Sequence, residues 1–210
     1  MAKVAEKPIA LKAKRSSNEE GQLLFSYQDA LELEKAGVIP EDEHTELLGG
    51  HFYLMTIQPP HAFAVDESSD ALRDELGKRV KVLTQRPLRL SDDMADRDLP
   101  QPDVLVLKPK RYLDHPKPED VYFLIEVSDR TLKKDKTVKL PLYASSGVLE
   151  TWIINLVERQ IEIYSDIQNG SYQQQDIYAL TTAVPLRAFG GLAKQWLPED
   201  IHQILDKFKT

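Results

Sequence analysis

The stretch Val121-Tyr122-Phe123-Leu124-Ile125-Glu126-Val127 decides the fold, because it places apolar side chains at both alternating positions of a strand. A second stretch, Val104-Leu105-Val106-Leu107, has the same character. Apolar residues on both faces are typical of central strands covered on each side by other elements. With helices predicted before and after these strands, the sequence predicts one domain of α/β or α+β class, a central mixed β-sheet flanked by helices.

Further elements follow from turn residues and from hydrophobic spacing. Ser26 is a suitable N-cap for a helix that ends near Gly37, and Gly49-Gly50 can form the turn of a hairpin over residues 45–55. The remaining predicted elements are a helix ending near Gly77, an edge strand over residues 80–90, a helix over 130–145, a hairpin of 150–156 with 160–165, a strand over 172–180 and a last helix after Pro198. In this last helix Ile201, Ile204, Leu205 and Phe208 are expected to share the inward face.

Composition limits the class of protein. The chain has 210 residues, 41% of them hydrophobic, with 34 acidic and 27 basic residues and a formal net charge of -7. This balance argues against tight, nonspecific binding to nucleic acid. No apolar run approaches the roughly 20 residues of a membrane helix. The absence of cysteine favours a reducing compartment, and the cytoplasm is expected. Residues 1–22 are predicted to be a disordered basic tail and residues 23–210 the folded domain.

Two carboxylates are predicted to lie at the ends of the central strands. Glu126 is surrounded by apolar residues, and Asp103 follows Pro102 and leads directly into the other strand. An unpaired buried charge is costly, so Glu126 requires a cation, a proton or a hydrogen-bond donor. Two such acids on neighbouring strands suit Mg²⁺ or Mn²⁺, with the backbone carbonyl of Val127 as a further ligand. The alternatives are a structural ion pair for Glu126 and a turn role for Asp103.

A lysine is predicted to face these acids. Lys139 follows Leu132 by seven residues and precedes Leu142 and Tyr143 by three and four, which places its stem on the inward stripe of the helix. Asp135 lies one turn earlier and could either hold Lys139 in place or neutralise it as a structural partner. Two metal-binding acids and a cation form a set that phosphodiester hydrolysis can use.

At these positions the sequence resembles the Uma2 family of bacterial proteins, which is similar to the PD-(D/E)XK nuclease superfamily. The resemblance extends from about Tyr27 to Phe208. It is carried by Gln101-Pro102-Asp103, Tyr112, His115-Pro116, Pro118-Glu119-Asp120, Ile125-Glu126-Val127-Ser128-Asp129, Asp135, Lys139-Leu140-Pro141-Leu142-Tyr143-Ala144, Gly147 and Glu150-Thr151-Trp152-Ile153, with Glu46-Leu47-Leu48, Pro60-His61 and Pro87-Leu88-Arg89-Leu90 in the expected order.

The resemblance implies a restriction-endonuclease-like fold and a Mg²⁺-dependent endonuclease that acts on DNA, as a homodimer. Asp103 and Glu126 would bind the metal, and Lys139 would be the catalytic lysine. The superfamily pattern places lysine two residues after the glutamate, where this chain has Ser128, so the lysine has moved to the following helix. Glu46 would be an additional catalytic acid, although it could equally be a surface carboxylate before a hairpin.

Other readings of the same residues remain open. The fold could serve a non-catalytic nucleic-acid-binding or scaffold protein in which the three residues form a buried ion-pair network. A hydrolase with an acid and a base carboxylate, for example on glycosides, has weaker support because aromatic sugar platforms are lacking near the acids. His61, which follows Pro60, could contact a phosphate, but a structural role is expected because no second histidine lies at ligand spacing.

Overall fold

The computed structural model describes residues 16–40 and 44–208. These residues form two compact units. The first unit contains the described residues up to Met55 together with Ser91–Leu99, and the second contains Thr56–Leu90 and the described residues from Pro100 onwards. Residues 1–15 of the predicted tail lie outside the described residues. Residues 16–22 belong to a short hairpin in which β1 (Ser16–Ser17) pairs with β2 (Leu23–Leu24).

The described residues of the first unit also form a helix and a second hairpin. Helix α1 is Tyr27–Lys35, and strands β3 (Thr45–Leu48) and β4 (His51–Leu54) pair antiparallel. The predicted cap is present, because the Ser26 hydroxyl accepts from the Asp29 amide while the Asp29 carboxylate accepts from the Ser26 amide. This reciprocal capping box satisfies amides that the first helical turn leaves unpaired.

The hairpin turn shows why glycine is needed at position 50. Gly50 has a φ of +83°, a region that side chains disfavour. A Cβ at this position would lie 2.9 Å from the Cβ of Leu24, so close approach of the backbone to β2 also requires glycine. The core of this unit is formed by buried side chains of Tyr27, Ala30, Leu47 and Leu99.

The second unit is built on a six-stranded sheet with the spatial order β10-β9-β8-β7-β6-β5. Only β7 and β8 pair in parallel; the other neighbours are antiparallel. The strands are β5 (Lys81–Thr84), β6 (Val104–Leu107), β7 (Val121–Ser128), β8 (Thr151–Asn155), β9 (Gln160–Gln168) and β10 (Ser171–Ala179). The predicted mixed sheet is therefore confirmed, with β7 in its interior and β5 at an edge.

Helices cover both faces of this sheet. Helix α2 (Pro59–Leu76) contributes Leu72 and Leu76 to the core cluster that contains Val104, Ile125 and Trp152. On the other face, α3 (Leu132–Lys134) continues through a π-helical segment (Asp135–Lys139) into α4 (Leu140–Ser145), whose Tyr143 packs with Leu105 and Leu124. A small sheet of β11 (Val184–Leu186) and β12 (Leu192–Lys194) precedes α5 (Ile201–Lys207).

Three predictions differ in detail from the structure. The helix expected over residues 130–145 contains the π-helical segment, because the ring of Pro141 cannot donate a backbone hydrogen bond and disfavours regular α-helix in the turn before it. The strand expected over residues 80–90 ends at Thr84, ahead of Pro87. Phe208, expected on the inward face of α5, is 41% exposed. No helix within the described part of the chain is long and apolar enough to cross a membrane.

Candidate active site

The two predicted acids lie side by side at one end of the central strands. In the antiparallel register, Val104 pairs with Ile125, so the next position places Asp103 across from Glu126. Residues directly opposite each other in such a pair point to the same face of the sheet. Asp103 is 3% exposed and Glu126 is 2% exposed. The end of β6 and the interior of β7 thus bring two buried carboxylates together.

Asp103 is held by the backbone of the neighbouring strand. Its Oδ2 accepts a hydrogen bond from the amide of Val127 at 2.8 Å and lies 3.1 Å from Nε2 of His61. Its Oδ1 is buried and accepts no hydrogen bond from the described residues. One oxygen therefore fixes the orientation of the carboxylate, and the other is left for a ligand.

Glu126 is held by two side chains from the facing helix. The Nζ of Lys139 lies 2.9 Å from each carboxylate oxygen of Glu126. The hydroxyl of Tyr143 donates to Oε1 at 2.5 Å. Lys139 is itself buried, so it points at the carboxylate and not at solvent. A charged hydrogen bond and an ion pair together offset the cost of burying Glu126.

Asp135 occupies the position predicted for it but has other principal partners. Its Oδ1 lies 4.0 Å from Nζ of Lys139, at the limit of an ion pair. Its Oδ2 accepts from the hydroxyls of Ser128 at 2.7 Å and Thr131 at 2.6 Å. Burial raises the pKa of Asp135 above its usual value, although Lys139 and these two hydroxyls act in the opposite direction. Asp135 thus anchors the helix to β7, while Lys139 is directed mainly to Glu126.

The π-helical segment directs lysines to two buried acids on the same sheet face. Glu126 pairs with Ile153 in β8, and Ile153 pairs with Glu162 in β9, so one strand separates the two glutamates. Lys136 Nζ contacts Glu162 at 2.8 Å, as Lys139 contacts Glu126. Wider π-helical turns often occur at functional sites, where they re-aim side chains. Here the wide turn fastens the helix to the sheet at two points.

His61 and Tyr143 contact the acids in ways that sequence reasoning missed. Burial lowers the pKa of His61, but the hydrogen bond to the Asp103 carboxylate and the charges of Asp103 and Asp135 outweigh burial, so the pKa is raised overall. His61 Nδ1 is buried and has no hydrogen-bond partner among the described residues. The only signals in the sequence were the position of His61 after Pro60 and the spacing of four residues from Lys139 to Tyr143.

Glu46, the additional acid, lies in β3 of the first unit. It pairs in register with Tyr53 of β4, and its side chain is buried, at 1% exposure. This burial is at odds with a surface carboxylate. Its catalytic role stays a prediction.

The donors present fit a hard divalent cation. No group of three or more His, Cys, Asp or Glu side chains that could hold a metal occurs in residues 16–40 and 44–208. Mg²⁺, however, retains several waters and binds proteins through one or two carboxylates. The oxygen of Asp103 that lacks a donor, next to Glu126, is the kind of buried acceptor that such an ion would satisfy.

Comparison with protein-family models decides the family. The model for Uma2, described as "putative restriction endonuclease", matches residues 27–198. The chain belongs to the Uma2 family. The resemblance seen in the motifs is thereby confirmed, over most of both units. None of the curated proteins matches the chain.

A solved structure of similar fold supports the architecture of this Uma2 protein. The crystal structure described as "a putative nuclease belonging to DUF820 from Anabaena variabilis ATCC 29413" has a TM-score of 0.61 to the chain. The match covers 86% of this chain and 99% of the other, at 14% sequence identity. At this identity the likeness concerns the fold, and the predicted α/β fold with a central mixed sheet flanked by helices is confirmed.

Proposed function

We propose that this Uma2 protein is a metal-dependent endonuclease that hydrolyses phosphodiester bonds of DNA. The observation that carries the proposal is the pair of buried carboxylates, Asp103 and Glu126, with Lys139 Nζ 2.9 Å from Glu126. Membership of a family described by a nuclease activity supports the same class of reaction. The cysteine-free sequence favours action in the cytoplasm.

Asp103, Glu126 and the carbonyl of Val127 would hold Mg²⁺ or Mn²⁺ in this proposal. When bound, the ion supplies a lowered pKa for water and a positive charge beside the phosphate. The chain supplies the orientation of its ligands. The amide of Val127 and His61 hold one oxygen of Asp103, so the other oxygen remains available to the ion.

Lys139 and Tyr143 act on the second acid. Their hydrogen bonds fix the orientation of the Glu126 carboxylate. The ammonium of Lys139 also places a fixed positive charge beside the reacting phosphate, whose oxygens gain negative charge during attack by water. Hydrolysis joins the water oxygen to phosphorus and releases the sugar oxygen, which takes up a proton. Lys139 stabilises the charge that develops in this exchange.

The substitution Asp103→Asn tests the proposal. It removes the ligand charge while keeping the size of the side chain. We expect cleavage of supercoiled plasmid in Mg²⁺ or Mn²⁺ to fall about 100-fold or more, as for loss of other charge-stabilising groups. Chelation by EDTA should abolish the wild-type activity. Titration calorimetry with Mn²⁺ should show a site in the wild type that is lost in the variant.

Asp66→Asn is the matched control, because Asp66 is an exposed aspartate of α2 in the same unit. Its cleavage rate and Mn²⁺ affinity should equal those of the wild type. Equal cleavage by the wild type, Asp103→Asn and a mock preparation would contradict the proposal.

A second candidate function has support from the same contacts. Lys139 and Tyr143 already engage Glu126, as they would in a structural ion-pair network of a nucleic-acid-binding or scaffold protein. The calorimetric titration separates the two functions. An absence of any Mn²⁺ site in the wild type, together with retained DNA binding, would favour the non-catalytic protein.

A further inference from the structure

A cavity of about 440 Å³ lies beside the edge strand β5, and neither Asp103 nor Glu126 lines it. It is lined by parts of residues 81–86 and by the loop over residues 110–116. Four of its lining side chains are cationic: Lys81, Arg86, Lys110 and Arg111. The charge of these side chains is opposite in sign to the net charge of the chain, which is -7.

Three of these cations are available to a ligand. Lys110 is already engaged, because its Nζ lies 2.5 Å from Asp120 and 5.2 Å from the ring centre of Tyr112. Lys81, Arg86 and Arg111 are exposed, and none of them forms a hydrogen bond or ion pair with the described residues. The acidic residue that lines the cavity, Asp114, lies 3.5 Å from Arg89. The cavity therefore presents uncompensated positive charge to solvent.

The cavity opens on the sheet face that carries the acids. Leu83 lines it and pairs with Leu105, which pairs in turn with Leu124. Paired residues share a face, and Glu126 follows Leu124 by two residues, so Leu83 and Glu126 lie on the same side. At the other end of the lining, Arg86 follows Gln85, whose amide donates to the carbonyl of Asp103 at 3.0 Å. The basic cavity thus extends along β5 from the neighbourhood of Asp103.

We propose that this cavity binds backbone phosphates of the DNA on which the enzyme acts, through Arg86, Arg111 and Lys81. Guanidinium groups bind phosphate oxygens through paired hydrogen bonds, and each phosphate neutralised releases counterions. A strand held here would run along the edge strand β5 towards Arg86 and the neighbouring Asp103. The assignment of the ligand as substrate rests on the proposed function, whereas phosphate binding by the cavity does not.

The test is DNA binding by the double variant Arg86→Gln with Arg111→Gln. Both chains compared carry Asp103→Asn and are kept in EDTA, so that no strand is cut. Fluorescence anisotropy of a labelled duplex should show a loss of affinity of about 10-fold or more. The slope of log K against log salt should become shallower by up to about 2, since each phosphate contact contributes about 0.9.

The matched control is Lys35→Gln with Lys78→Gln, which removes the same charge from exposed lysines elsewhere. We expect affinity within twofold of the parent chain, and circular dichroism melting should show that both double variants remain folded. Inorganic phosphate should compete only at high concentration, and polyglutamate should compete less well than DNA. If the arginine double variant loses as much affinity for polyglutamate as for DNA, the cavity is a general polyanion-binding surface and the proposal is overturned.

The outcomes separate this inference from the proposed function. If the wild type cuts plasmid but the arginine variant binds DNA as tightly as its parent, the cavity assignment is wrong and the nuclease stands. If no preparation cuts DNA but affinity depends on the two arginines, the phosphate site stands and the nuclease does not. An absence of measurable DNA binding by the parent chain overturns the cavity assignment.

Discussion

The hydroxyl of Tyr143 helps to hold the buried carboxylate of Glu126. It donates to Glu126 at 2.5 Å in the interior of the second unit. We expect Tyr143→Phe to lower the free energy of unfolding by about 1–3 kcal/mol, because it removes a hydrogen bond to a charged group and leaves part of that group unsatisfied. Urea denaturation followed by tryptophan fluorescence measures the change.

Tyr178→Phe is the control for loss of a hydroxyl. Tyr178 packs against the core cluster that contains Val104, Ile125 and Trp152. Its hydroxyl has no hydrogen-bond partner among the described residues. Its removal should change the stability by less than about 0.5 kcal/mol. Equal, small effects of the two substitutions would mean that the Tyr143 hydroxyl contributes nothing to holding Glu126.

The sequence could predict the acids but not all of their partners. Asp103 and Glu126 were recognisable because each carboxylate adjoins an apolar strand, where a charge demands compensation. Lys139 was recognisable from its helical spacing. His61 was not, since its contact with Asp103 joins residues 42 positions apart, and no local pattern encodes such a pairing. The hydrogen bond from the Tyr143 hydroxyl could not be predicted, because a tyrosine on the inward face of a helix is interpreted as an apolar core residue.

At the scale of elements, Glu162 fastens the π-helical segment to strand β9. Its carboxylate is buried and accepts from Asn155 at 2.8 Å and Tyr164 at 2.5 Å, with Lys136 Nζ at 2.8 Å. Burial alone would raise the pKa of Glu162, but these hydrogen bonds outweigh burial and lower the pKa to about 2. The charged form of Glu162 therefore stabilises the packing of helix on sheet.

This lowered pKa predicts a pH dependence of stability. A carboxylate whose pKa is lower in the folded than in the unfolded protein contributes stability above its unfolded pKa of about 4.3, and the contribution is lost as the pH falls towards the folded pKa. We expect Glu162→Gln to cost about 1–3 kcal/mol at pH 7, and the difference from the wild type to shrink between about pH 4.5 and pH 2. Urea denaturation at several pH values measures both quantities.

Glu119→Gln is the comparison for this series, because Glu119 is exposed. Its stability should follow that of the wild type at every pH. A difference between Glu162→Gln and the wild type that stays constant from pH 7 to pH 2 would show that the charge of Glu162 is not what stabilises the packing.

The helix after β7 shows where prediction of elements stops. Its position and its inward face follow from the spacing of Leu132, Lys139 and Leu142. The π-helical turn cannot be predicted from this spacing. A proline within a helix can produce a kink, a helix end or a widened turn, and packing selects among them. The hairpin of β3 with β4 and the edge strand were predictable for the opposite reason: Gly49-Gly50 and Pro87 act locally. Strands β11 and β12 have only three residues each, too few for a clear alternating pattern.

Over the whole molecule, the distribution of charge matters more than its sum. The net charge of -7 alone would argue against DNA as a ligand. Asp103, Glu126 and Glu162 are buried, and the latter two are paired with lysines, so their charges are partly compensated inside the fold. By contrast, the cations of the β5 cavity that have no acidic partner among the described residues, Lys81, Arg86 and Arg111, are exposed to solvent. No count of residues could separate these two populations, because the separation depends on the sheet register.

The number of acid pairs bears on how the proposed endonuclease would cut a duplex. Each chain offers one pair of sheet-end carboxylates, Asp103 with Glu126, in its described part, and one such site reacts with one phosphodiester at a time. Under the proposed function, cutting both strands in one binding event would therefore need two copies of the chain, as in the homodimer that the family resemblance implies. We expect sedimentation velocity to show a dimer, and supercoiled plasmid to be converted to linear DNA with little accumulation of nicked circles. Mixing the wild type with an excess of Asp103→Asn chains should form mixed dimers with one intact site, and nicked circles should then accumulate. A chain that sediments as a monomer throughout the concentrations of the cleavage assay, and still yields linear product without nicked circles, would contradict the dimer.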